Sequence, residues 1–183
     1  MKIAAIVVGA STGTGAALRT LAHNVGFDPV LRYETLARAE AQLSETPLLF
    51  FLCAGVDDVR TLKPMAEAIR FSPARKLRFS PMIYFAHNPS HDTIKTCINM
   101  GFDDVIALPF AGERLEARIN RQIGSPQIYY ETSTYFGPDR RGRIEHDHGD
   151  PRRGSGGQFR RIEILRTAET GIDVLKDDMQ VEL

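Results

Sequence analysis

Five short apolar runs, each followed by a segment with helical spacing, fill residues 3–123, and this alternation leaves few folds open. Ile3 to Val8 is apolar throughout, as a strand buried on both faces must be. Ala16 to Val25 follows, with Ala17, Leu18, Leu21 and Val25 at helical spacing. Pro29–Tyr33, Leu48–Cys53, Pro81–Ala86 and Val105–Leu108 read as the next four strands. The helices between and after them span Leu36–Leu43, Val59–Ile69, His91–Met100 and Gly112–Ile123, with Pro64 near the first turn of Val59–Ile69 or kinking it. Strands and helices in this order predict a parallel sheet with helices on both faces.

That plan is an α/β fold, a flavodoxin-like (βα)5 doubly wound sheet over residues 1–123. After Gly124-Ser125-Pro126 the texture changes, and residues 124–183 form an extension. Ile128–Phe136 is rich in strand formers, and Phe159–Leu165 alternates enough to be a strand. Gly137–Gly157 is dense in Gly, Pro, Asp and Arg and is expected to be flexible unless bound. The acidic end from Asp173 to Leu183 is weakly patterned. The two strand-like segments are expected to pair with each other or with a second chain. Unpaired strands are an aggregation liability unless covered, so a homodimer through the extension is the expected assembly.

The formal net charge is zero, so no global field draws DNA or an anionic membrane to this chain. No apolar run approaches the roughly 20 residues of a membrane helix. Met1-Lys2-Ile3 runs straight into a strand without a signal-peptide n-region, which makes the cytoplasm the expected location. Cys53 and Cys97 both sit in apolar segments and read as reduced core thiols.

Gly101-Phe102-Asp103-Asp104-Val105-Ile106-Ala107-Leu108-Pro109-Phe110 resembles the end of a receiver domain of two-component response regulators, where a Gly-Ala-Asp-Asp-type turn leads into the last strand and Lys-Pro-Phe closes it. The resemblance covers about residues 2–123 and implies a site at the strand ends. There, paired acids hold Mg²⁺, an aspartate accepts phosphate, a Ser or Thr reads the phosphoryl group and a lysine neutralises it. In this chain the acid positions fall at Gly9-Ala10-Ser11, the acceptor at Cys53, the hydroxyl at Ala86 and the lysine at Leu108. None of the four kinds of group is present. The resemblance therefore implies a pseudo-receiver, with no phosphorelay activity and no metal.

Gly9-Ala10-Ser11-Thr12-Gly13-Thr14-Gly15 matches the Gly-x-x-x-Gly-x-Gly pattern of short-chain dehydrogenases, and Leu52-Cys53-Ala54-Gly55 echoes that family's strand end. That family also needs a Tyr-x-x-x-Lys pair, and no tyrosine here has a lysine four residues on. The loop is read instead as small residues filling a vacated pocket, with Ser11 or Thr12 capping the helix, and anion binding as the alternative.

Seven arginines lie between Gly137 and Arg161 against Asp139, Glu145, Asp147 and Asp150. Arginine binds phosphate bidentately and stacks on purines, so Arg140, Arg141 and Arg143 beside Tyr135 form a candidate nucleotide site. The segment resembles, in composition, the arginine-rich segments of CheY-like effectors of cyclic di-GMP. A solvated linker is the other reading. His146-Asp147-His148 with Asp150 offers metal ligands in one run, but such runs give adventitious affinity and no metal site is assigned.

No residue set offers nucleophile, base and orienting group together, so no enzyme activity and no cofactor are expected. The leading expectation is a phosphorylation-independent bacterial signalling adaptor working through a protein partner or self-association. In receivers the output surface joins the fourth helix, fifth strand and fifth helix, which here places Lys95, Asn99, Phe102, Asp103 and Arg114 in the partner surface. Cyclic di-GMP binding by the arginines is the alternative.

Overall fold

Continuous apolar stretches become the buried strands of a parallel sheet. The computed structural model describes residues 3–109, 112–139 and 158–181. The strands β1 (Ile3–Val8), β2 (Val30–Arg32), β3 (Leu48–Ala54), β4 (Met82–His87) and β5 (Asp104–Leu108) lie in the order β2-β1-β3-β4-β5. Every residue of the central β3 is buried, which its unbroken apolar run required. The order is that of a flavodoxin-like sheet, whose crevice opens outside the carboxyl ends of β1 and β3.

Helices α1 (Gly13–Val25), α2 (Leu36–Gln42), α3 (Lys63–Arg70), a single turn α4 (Arg75–Arg78), α5 (His91–Asn99) and α6 (Gly112–Asn120) connect the strands. Thr35 and Ser90 start α2 and α5 by accepting hydrogen bonds from the backbone N–H groups of Arg38 and Thr93. Pro64 stands in the first turn of α3, after a 3₁₀ turn over Val59–Leu62, where its missing N–H costs nothing. Leu18, Ala22, Leu115 and Ile119 fill one face of the sheet with Phe50, Leu52 and Phe85. Ala39, Ala66, Ile69 and Cys97 fill the other with Phe51, Cys53 and Tyr84.

Within the extension, residues 124–139 and 158–181 are more ordered than their composition suggests. Ile128–Phe136, read as one strand, is a hairpin of β6 (Gln127–Glu131) and β7 (Phe136–Pro138). Thr132 makes the turn: its N–H donates to Tyr135 O at 2.8 Å, and its hydroxyl accepts from the N–H groups of Thr134 and Tyr135. The weakly patterned acidic end is β9 (Gly171–Val181), an eleven-residue strand antiparallel to β8 (Gln158–Thr167). Together they form a four-stranded sheet, β7-β6-β8-β9. As expected, the two strand-like segments pair with each other, β6 against β8.

This second sheet packs against the entry ends of the parallel strands. Tyr129, Phe136, Ile162, Ile164 and Ile172 join Leu48, Phe79 and Ile119 in one cluster. At Gly101, with φ of +81°, an added Cβ would stand 2.3 Å from Phe136 O, so the turn before β5 admits the β7 backbone only as glycine. Among the described residues no helix is long and apolar enough to cross a membrane.

Candidate functional site

The carboxyl ends of the strands converge on small and apolar side chains. Val8 pairs in register with Cys53, and Cys53 with Tyr84. Gly9, the next residue, faces the opposite side of the sheet, where its Cβ would stand 2.9 Å from Ala54 Cβ. At the ends of β3 and β4, a Cβ on Gly55 would lie 3.3 Å from Ala86 Cβ, and Leu108 pairs with His87 on the neighbouring strand. Leu108 packs partly buried against the apolar cluster, before a cis bond to Pro109.

The loop from Gly9 to Gly15 closes on itself. An added Cβ on Gly15 would fall 2.1 Å from Ala10 O, so only glycine lets α1 start this close to β1. Arg19 then reaches back and donates to Ser11 O at 2.6 Å. Thr12 holds the N-cap position, but its side chain makes no capping bond and neither does Ser11, contrary to the capping expected of them. Asp58, four residues beyond the end of β3, is engaged as a cap, accepting from Arg60 N at 3.0 Å. Among the described residues no three His, Cys, Asp or Glu side chains group as metal ligands.

No family model matches this chain, and no curated protein matches it. Solved structures do. A CheY-like protein, TadZ, from Pseudomonas aeruginosa PAO1 superposes with a TM-score of 0.51 at 15% identity, over 66% of this chain and 99% of its own. The receiver domain of a sensor histidine kinase from the same organism, solved with magnesium in its active-site cleft, gives 0.53 at 18% identity, over 68% of this chain and 100% of its own. The fold is that of a receiver domain. The five-stranded parallel sheet and its helices make up that fold, and the four-stranded sheet is additional to it.

Cys53 is not the last residue of its strand. Cys53 was placed at the acceptor, but β3 runs on to Ala54, and it is Ala54 that lies beside Gly9. Cys53 points into the core with no exposed surface, and burial, reinforced by Cys97, pushes its thiol up, away from the reactive thiolate. Gly9, Ala10, Ser11, Ala86 and Leu108 do stand at the strand ends, and no carboxylate or ammonium is among them.

The expected partner surface is corrected more strongly. Phe102 is fully buried, edge-on to Tyr84, and Asp103 is 4% exposed, so neither can meet a partner. Asp103 is the centre of a buried polar network. Its Oδ2 accepts from Arg70 Nη2 at 2.5 Å and Met82 N at 2.7 Å; its Oδ1 accepts from Arg166 Nη2 at 2.9 Å and from the Tyr129 hydroxyl. Arg70 also donates to Gly101 O, Arg78 O and Ser80 O, and Arg166 to Phe79 O and Gln122 Oε1. Burial opposes ionisation of Asp103, but Arg166 and Arg70 hold its carboxyl below the usual carboxylate range. Burial, with the facing Asp103 carboxylate, pushes the Tyr129 phenol up and keeps it a neutral donor. The next residue, Asp104, pairs with Arg118 of α6, whose Nε donates at 2.8 Å.

Lys95 and Asn99 are exposed on α5, while the Arg114 side chain lies outside the described residues. Tyr135 is also corrected. It is 7% exposed with its hydroxyl on Pro138 O, and offers no open ring face for a base. Arg140, Arg141, Arg143 and the His146-Asp147-His148 run lie outside the described residues. The network around Asp103 was missed, although Arg166 carried a signal: it follows Ile162 and Ile164 at period two, on the inward face of its strand.

Proposed function

We propose that this protein is a phosphorylation-independent signalling adaptor, a pseudo-receiver that works by binding protein. One observation carries the reading: Gly9, Ala10, Ala54, Ala86 and Leu108 occupy the strand ends where a receiver needs acids, a hydroxyl and a lysine. Phosphoryl transfer depends on Mg²⁺ and positioned charge, and these five residues supply neither. The scaffold is otherwise complete, with a full core on both faces of the sheet. What such a scaffold retains is surface, and the exposed side of α5 with Lys95 and Asn99 is the face proposed to meet the partner.

Partner capture from cell extract on immobilised protein tests this reading. The retained proteins should be the same with and without acetyl phosphate, and a Lys95→Glu/Asn99→Arg variant of unchanged stability should lose them. A retained set that changes with the phosphodonor overturns the reading.

A further inference from the structure

The strand β9 closes the second sheet on one side, and among the described residues nothing pairs with its outer edge. At eleven residues it is a long edge, and such an edge offers unpaired N–H and C=O groups to another strand. Among the described residues, two of the four large exposed hydrophobic side chains sit on it, Leu175 at 51% and Met179 at 67% exposure. They stand four residues apart, with Lys176, Asp177 and Asp178 between them.

We infer that β9 pairs antiparallel with β9 of a second copy, about a two-fold axis at Asp177. In antiparallel pairing, residues equidistant from the axis stand opposite each other on one face. An axis at Asp177 sets Leu175 opposite Met179 of the second copy, twice, covering the exposed apolar groups with each other. It also sets Lys176 opposite Asp178 twice, exchanging for cross-chain pairs the contact they make at 2.9 Å within one chain. The two Asp177 carboxylates meet at the axis, but each is already held by its own Arg160, whose Nε and Nη2 donate at 2.5 and 2.6 Å. A one-residue shift of the axis loses both pairings: at Lys176 it puts Leu175 against Asp177, and at Asp178 it puts Met179 against Asp177. Leu175 is itself the extra residue of a bulge, between Val174 opposite Ile164 and Lys176 opposite Glu163, so the regular stretch of β9 begins at Lys176 and Leu175 stands at its margin. The two sheets would join into one of eight strands.

This interface deepens the self-association side of the adaptor reading, and it is tested on the full chain. Sedimentation over a range of concentrations should show a reversible dimer in the wild type and a monomer for Leu175→Lys/Met179→Lys. Under mild oxidation the Leu175→Cys/Met179→Cys double variant should give a covalent dimer, and each single variant should not. Cys53 and Cys97 are buried and do not compete. A monomer at every concentration, a dimer that survives the lysine variant, or equal cross-linking by the single variants overturns the inference. Partner retention by the monomeric lysine variant separates this failure from failure of the adaptor reading, since Lys95 and Asn99 lie on α5 and not on β9.

Discussion

Arg166, in the extension, donates to Asp103, at the turn before β5, across 63 residues of sequence and at 2.9 Å. The β8 strand of the extension thereby contributes to the interior of the receiver-like fold. Both side chains are almost fully buried, at 0% and 2% exposure, so the pair is held in a low dielectric with little screening. A buried pair of this kind adds little net stability over an apolar substitute, but removing one partner leaves an uncompensated charge.

Replacing Arg166 with Met, or Asp103 with Asn, should therefore destabilise the protein by about 3–5 kcal/mol in urea unfolding. The double variant should lose less than the sum of the two.

The acid dependence has a definite sign. The carboxyl of Asp103 is depressed in the folded state, so its stabilisation is present above the unfolded value of about 3.9 and is lost as pH falls through the native value. The stability gap between wild type and Asp103→Asn should narrow as the pH is lowered below about 4. Urea midpoints measured across the acid range would show it.

Truncation after Ile123 removes Arg166 and Tyr129 from Asp103 and strips Ile162, Ile164 and Phe136 from the cluster around Phe79. The shortened chain should be expanded or aggregated, and the intact chain should unfold in one transition seen alike by tyrosine fluorescence and circular dichroism. Two separated transitions would show that the extension folds on its own.

The parallel sheet was legible because strands buried on both faces, such as β3, must be apolar throughout, and no partner is needed to see that. The strand β9 was not legible. Asp173, Lys176, Asp177 and Asp178 break its pattern, and its order comes from the ladder with β8. Asp103 was misread for a related reason: an aspartate beside a turn reads as surface, and its two arginine partners come from α3 and β8. The third strand was read one residue short, as Leu48–Cys53, because β3 continues to Ala54.

Substituting Ala at Gly15 should cost about 1–3 kcal/mol, as overpacking of the Ala10 carbonyl, and should shift the backbone of the Gly9–Gly15 loop. Thermal unfolding measures the loss, and an unchanged midpoint would show that the loop yields freely.

Cys53 and Cys97 should resist a thiol-specific reagent in the folded protein and both react after unfolding, since neither has exposed surface. Rapid labelling of one thiol under native conditions would place it in an open crevice.

The central claim is that this receiver fold works without phosphate. Intact-mass measurement of the full chain after incubation with acetyl phosphate and Mg²⁺ tests it most directly. The account predicts an unmodified mass at every time point, because the strand ends carry Gly9, Ala10, Ala54, Ala86 and Leu108. A phosphate adduct that forms with Mg²⁺, disappears with a chelator and is released by hydroxylamine would contradict it.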